Sequence, residues 1–297
     1  VDKPAGATSH DLVEEVRRRL DAPGAGHLGT LDPAATGLLL VAVGAATRCV
    51  PLWQGGEKTY EATIRFGVTT STQDLDGEVL ERRAWTGGED EIRRASEGFV
   101  GEIEQVPPMV SALKVGGQRL HRLARRGVTV EREPRRVRIA EWTWLEFAGP
   151  EARFRVRCSS GTYVRTLAHD LGARLGCGAA LAALRRLASA PFDLSRSVTS
   201  LELRELDPGQ IWDKAGIPLD RALAHFPRRI LAPAEIERVG HGNPVARTAA
   251  DGAEGPMVLV DGAGTPLGIA AWRDADAETG WLQPSLVFPW AVREGKS

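Results

Sequence analysis

A chain of 297 residues with 42% apolar side chains can bury one large core and a smaller one, which excludes a disordered or fibrous protein. Its longest apolar run, residues 38–46, is far short of the roughly 20 residues of a membrane-spanning helix, and no charged-then-apolar leader opens the chain, so no membrane attachment is expected. Three scattered cysteines (Cys49, Cys158, Cys177) without a Cys-x-x-Cys pair indicate neither a disulfide framework nor a zinc site and fit a cytoplasmic protein, while the net charge of −1 is unevenly spread: residues 114–138 hold nine Lys and Arg against two Glu.

In chain order, VDKPAGATS reads as the end of a strand entering a loop, and with Val1 in place of methionine a few native residues are expected ahead of it. Thr8 and Asp11 have capping-box spacing, and Leu12, Val16 and Leu20 then recur as one face of a helix. HLGTLDPAATG, residues 27–37, carries a lone carboxylate, Asp32, among small residues; by itself an Asp-Pro step is an ordinary turn. Residues 60–66 alternate as a strand, with Ala62, Ile64 and Phe66 on one side, and GVTTSTQDLDGE follows as a polar loop. A helix is expected over 91–99. Pro107 and Pro108 keep the next stretch extended, and helix is expected again near Leu120.

Phe154, Val156 and Cys158 alternate with Arg153, Arg155 and Arg157 in another strand, which the SSGT turn closes. Leu167, Leu171 and Leu175 mark a helix, and a second helix is expected through AALAALRRLA, residues 179–188. Beyond Pro227, Asp-Gly turns and short apolar runs such as MVLVD and LGIAAW predict a small β-rich domain.

The arginine block at 114–138 suits phosphate contacts, because guanidinium groups grip phosphate bidentately and displace counterions. A solvated helix face is the other reading. The chain has only two tyrosines. Tyr60 begins a strand and Tyr163 lies in a strand-to-helix turn, the kind of element end on which sites are built. Arg165 stands off the leucine stripe. Were it to meet Asp32, it would hold that carboxylate ionised; a purely structural ion pair is the alternative.

Six stretches, VDKPAGATSHD, GHLGTLDPAATGLL, KTYEATIRFG, PPMVSALKVGGQRLHRLARRG, CSSGTYVRTLAHDLG and ALRRL, stand in the order and spacing of the bacterial TruB family, the tRNA pseudouridine-55 synthases. The chain resembles that family over roughly residues 1–200. The resemblance implies an α+β pseudouridine-synthase fold: a mixed, mainly antiparallel sheet flanked by helices over 1–228, a basic RNA-clamping insertion at about 108–138, and a small PUA-like β-rich domain over 229–297. It implies isomerisation of uridine 55 in the TΨC arm of tRNA, with no metal and no organic cofactor.

By the same resemblance Asp32 is the catalytic aspartate, acting as nucleophile or as counter-charge to a cation-like sugar. Tyr60 stacks on the flipped base and takes the C5 proton, and Arg165 pairs with the aspartate. Tyr163 and Leu184 line the base pocket, and His27 helps extrude the nucleotide. Lys3 and Pro4 belong to a supporting motif. Lys114, Arg119, Arg122, Arg125 and Arg126 are RNA-binding candidates. Gly29, Ala34, Ala35 and Gly37 let backbone approach a nucleotide, and Pro33 fixes the turn. One departure is His121 where the family has tyrosine. His10, His169, His225 and His241 are expected to be structural.

Arg228 and Arg229 could touch an acceptor stem, or the last domain could be a stabilising barrel without RNA contact. A monomer without an obligatory protein partner is expected. Two other functions fit the fold: a guide-RNA-dependent enzyme acting on ribosomal RNA, and a non-catalytic RNA-folding chaperone. An intact Asp32, Tyr60 and Arg165 speaks against the second.

Overall fold

The Thr8–Asp11 signal forms a reciprocal cap, Thr8 N–H donating to Asp11 Oδ2 (2.9 Å) and Asp11 N–H to Thr8 Oγ1 (3.1 Å), ahead of helix α1 (Ser9–Arg19). The computed structural model describes residues 1–111, 113–115, 117–120, 123, 126–128, 130–246, 255–273 and 280–292, with the backbone alone at 114, 115 and 119. Contacts divide the chain into two compact units, one of residues 1–15, 27–40 and 53–205, the other of 16–26, 41–52 and 206–297. Among the described residues no helix is long and apolar enough to cross a membrane.

The first unit is built on an eight-stranded sheet. Its strands are β1 (Asp2–Lys3), β2 (Thr36–Leu38), β3 (Lys58–Phe66), β6 (Gly101–Gln105), β7 (Arg135–Ala148), β8 (Glu151–Cys158) and β9 (Ala179–Ser189), in the order β1-β2-β9-β3-β8-β7-β6, with Phe192–Asp193 pairing onto β9. Between β3 and β6 lie the hairpin β4 (Val68–Thr70) and β5 (Val79–Arg82) and helix α2 (Glu89–Glu97). Only β2 and β9 run parallel; the other pairs are antiparallel. The expected alternation holds in β3 and β8: Ala62, Ile64, Phe154 and Val156 bury completely beneath helix α3 (Val164–Arg174), whose Leu167 and Leu171 are equally buried. Truncating either leucine to alanine at such a site costs about 2–5 kcal/mol.

Three expectations need correction. Helix α2 begins two residues earlier than expected, because Glu89, Asp90 and Glu91 fill its first turn, where negative charge suits the N-terminal dipole. The polar stretch 67–78 is not a plain loop; its ends form β4 and lead into β5, so it closes a hairpin. Most consequentially, 179–188 is not a helix but lies within strand β9, despite the strong helix preference of Ala and Leu.

Tertiary pairing decides that last case. Gly176 and Gly178, both at φ +72°, turn the chain back after α3, and β9 then enters the slot between β3 and β2, where both backbone edges are satisfied. Gly172 of α3 lies so close that a Cβ there would sit 2.1 Å from the Ala179 nitrogen. Small residues at the start of β9 therefore serve close packing.

The second unit carries the β-rich region read from sequence. Strands β10 (Arg228–Ile230), β11 (Val245–Ala246), β12 (Met257–Val260), β13 (Pro266–Arg273) and β14 (Trp281–Val287) form a five-stranded sheet, ordered β10-β12-β13-β14-β11. Helix α4 (Pro233–Gly240) packs Val239 against Met257, Leu259 and Leu282.

Candidate active site

Asp32 sits on a loop held from behind by the N-terminal segment. The loop turns through Pro33, closed by Ala35 N–H donating to Asp32 O (3.0 Å), and proline presets the backbone angle such a turn needs at its second position. Lys3, wholly buried, donates from Nζ to the carbonyls of Pro4 and Pro33 (both 2.9 Å) and Ala35 (2.6 Å). Its pKa is lowered by burial, against the opposing pull of Asp32 and Asp11. Ser9 Oγ donates to Leu31 O (3.0 Å) and accepts from Leu31 N–H (2.9 Å). Lys3 and Ser9 thus fix both flanks of Asp32, whose side chain is left 48% exposed.

Arg165, in the first turn of α3, reaches that carboxylate. Its Nη2 lies 3.4 Å from Asp32 Oδ2 and donates to Val110 O (2.6 Å), while Nη1 lies 3.4 Å from Asp74 Oδ2. The guanidinium also stands 5.8 Å from the centre of the Tyr163 ring. Only 5% of Arg165 is exposed. One buried cation therefore spans two carboxylates, and Asp74 was not singled out from the sequence, where it falls within the polar loop GVTTSTQDLDGE.

Asp74 is itself well held. Its Oδ1 accepts from Thr72 Oγ1 and from Asp76 N–H (3.2 Å), and its carbonyl accepts from Thr70 Oγ1. Next to it Gln73 (φ +67°) accepts at Oε1 from Thr166 Oγ1 (2.7 Å), tying the hairpin to α3 beside Arg165. Gln105 was also missed. Buried on β6, it accepts at Oε1 from Tyr163 N–H (2.8 Å) and donates from Nε2 to Tyr163 O (3.0 Å), which locks the residue just ahead of α3.

Tyr60 lies on β3 opposite Arg186 of β9, and Leu184 lies opposite Ala62. Tyr60 and Leu184 both pack on the main core from its edge. Burial raises the Tyr60 pKa, offset by the charge and a hydrogen bond of Arg186, while the Asp32 charge raises it further. Arg186, opposite Tyr60, donates to Leu38 O and Gly29 O, so Tyr60 stands near the loop that carries Asp32 and its contact with Arg165. His27 is half-buried, and its pKa is lowered by burial, then by Arg186 and His10, a direction that favours the neutral imidazole. Burial pushes the Cys49 and Cys158 thiols up to about 11, which leaves them inert as nucleophiles at neutral pH.

Of the RNA-binding candidates, Lys114 and Arg119 are backbone partners in the two-stranded pair Lys114–Val115 and Gln118–Arg119, and Arg126 is exposed. Arg122, Arg125 and the departing His121 lie outside the described residues.

Comparison with known proteins gives this geometry a lineage. Residues 17–164 match the TruB family pseudouridylate synthase N-terminal domain, and residues 165–235 match the tRNA pseudouridylate synthase B C-terminal domain. The tRNA pseudouridine synthase B of Azoarcus sp. (strain BH72) is 44% identical over 97% of this chain and 93% of its own length; that of Thermobifida fusca (strain YX) is 45% identical over 97% of each. Among solved structures, a Cbf5-Nop10-Gar1 complex matches with TM-score 0.73 at 26% identity, over 97% of this chain and 82% of the matched one. An H/ACA RNP bound to a substrate RNA containing 2′-deoxyuridine matches with TM-score 0.71 at 25% identity, over 97% of this chain and 83% of the other.

The architecture is that of a pseudouridine synthase, a mixed sheet with flanking helices followed by a small PUA-like β domain. The chain belongs to the TruB family.

Proposed function

We propose that this protein converts uridine 55 in the TΨC arm of tRNA to pseudouridine, breaking the N1–C1′ bond and rejoining the uracil to the sugar through C5. The observation that carries the reading is the contact of buried Arg165 with the accessible carboxylate of Asp32, 3.4 Å apart. Asp32 acts at C1′ in its ionised form, which a neighbouring guanidinium favours. It serves as nucleophile or as counter-charge to a cation-like sugar, the work a carboxylate does in glycosidases. A second, protonated acid is not required, because the departing base is retained.

Tyr60 stacks on the everted base and, as phenolate, takes the C5 proton once the new carbon–carbon bond has formed. The C5–H electron pair re-forms C5=C6, the C6=N1 pair moves to N1, and N1 is protonated from solvent. Tyr163 and Leu184 line the base pocket, and neutral His27 keeps the nucleotide out of the stack, since a base inside a duplex arm is beyond reach. Lys114, Arg119, Arg122, Arg125 and Arg126 grip phosphate and read shape rather than sequence.

Identity of 44–45% to enzymes named for tRNA, against 26% to the Cbf5 complex, supports action on bare tRNA over action under a guide RNA. Asp32→Asn is the test, with pseudouridine mapped after incubation with unmodified tRNA transcript. Product formation is expected to fall by at least about 10³-fold, the scale of losing a principal reacting group, while tRNA binding survives. Near-parental turnover in that variant would refute the reading.

A further inference from the structure

The proposed reaction asks Tyr60 to take a proton from carbon, for which a neutral phenol is ill suited. Arg186 stands directly opposite Tyr60 on the neighbouring antiparallel strand, and side chains opposite one another on paired strands share a face of the sheet. It is 3% exposed and carries a permanent charge. Its Nε donates to Leu38 O (2.7 Å) and its Nη2 to Gly29 O (3.1 Å), carbonyls at either end of the loop that bears Asp32.

The backbone around it is equally constrained. Gly37, at φ +96°, pairs with Arg186 so closely that a Cβ there would meet the Arg186 carbonyl oxygen at 2.2 Å. Nη1 borders Gly29, 3.5 Å from where a Cβ on that glycine would stand. The guanidinium is therefore immobilised by backbone on two sides at the position opposite Tyr60, where its charge and a hydrogen bond lower the phenol's pKa against the larger, opposing effect of burial.

We propose that Arg186 is a positioning residue for Tyr60: anchored on Leu38 and Gly29, it directs an N–H and its charge at the phenol oxygen, stabilising the phenolate that accepts the C5 proton and setting that oxygen relative to the Asp32 loop. Arg186 does not touch substrate in this scheme. It rests on the reading of Tyr60 given above. Balance is kept: the phenolate becomes phenol on taking the C5 proton, then returns that proton to solvent.

Because the chain has only Tyr60 and Tyr163, replacing all tyrosine by fluorotyrosine gives two fluorine NMR signals, which Tyr163→Phe assigns. In Arg186→Gln the Tyr60 midpoint should move up by about one pH unit. The rising alkaline limb of the kcat profile should move with it, lowering kcat about tenfold at pH 7 with little change in KM. Arg186→Lys keeps the charge but cannot reach Gly29 and the phenol together, so it should show a smaller upward shift; it carries the test alone should Arg186→Gln fail to fold. A Tyr60 midpoint unmoved in the folded variants overturns the inference. A midpoint that moves while the pH–rate profile does not would uphold Arg186 as the partner of the hydroxyl and remove Tyr60 as the proton acceptor.

Discussion

The two faces of the eight-stranded sheet use the same chemistry, arginine against carboxylate, to opposite ends. On the outer face Arg155 meets Glu61 at 2.7 Å, Arg157 meets Glu57 at 2.7 Å and Arg65 meets Glu151 at 3.0 Å, all with half-exposed guanidinium groups. On the inner face Arg165 meets Asp32 and Asp74 at 3.4 Å each, yet is almost wholly buried. On the proposed function the longer contacts are the more consequential ones. Two charges 4 Å apart interact by about 1 kcal/mol in water but about 4 kcal/mol at the lower effective dielectric near a protein interior. Exposure, more than distance, separates a solvated surface from a charge network able to control chemistry.

Arg165→Met should break the inner face most severely. Removing one partner of a buried charge pair costs about 3–5 kcal/mol; the low end is expected, since the Asp32 carboxylate keeps water contact. Urea unfolding should show the lost stability, and turnover should fall at least about 10²-fold, as expected when an electrostatic stabiliser is removed. Activity that stayed near the parental level in a folded Arg165→Met protein would reduce the inner pair to the standing of the outer ones.

Asp74→Asn is milder. It keeps the shape of the hairpin and a partner for Thr72 but leaves Arg165 answerable to Asp32 alone. If Asp74 divides the guanidinium's charge between two carboxylates, kcat should change by roughly tenfold, the factor that about 1.4 kcal/mol of altered transition-state stabilisation produces, with tRNA affinity unchanged. A change confined to affinity would show that Asp74 serves binding and not the charge balance at Asp32.

The parts of this site that were legible in the sequence are those set by near neighbours. Thr8 and Asp11 announce a helix because their partners are three residues away, and the apolar sides of β3 and β8 follow from alternation alone. Asp32, Tyr60 and Arg165 stood out through their motifs, and their meeting could be stated only as a condition. Asp74 escaped because its partner lies 91 residues on, and Gln105 because the backbone it grips lies 58 residues on. β9 was misread for a related reason. Its alanines and leucines favour helix locally, and only pairing with β2 and β3 makes it a strand, which also moves Arg186 from a presumed helix to a position facing Tyr60.

The smallest expected effect comes from the outer face and tests the comparison from its other side. Arg155 and Glu61 pair directly across β8 and β3, with good geometry and no role in the proposed reaction. A double-mutant cycle with Arg155→Ala, Glu61→Ala and the combined variant isolates their coupling from the effect of each truncation. Exposed pairs of this kind yield about 0.2–1 kcal/mol, and salt screens them further. The cycle should therefore return a coupling within that range that fades in high salt, with pseudouridine formation unaltered in all three variants. Should the coupling instead exceed about 2 kcal/mol and persist in salt, the outer arginines would be structural elements on a par with the buried one, and exposure would no longer explain why only one face of the sheet holds the carboxylate proposed to react.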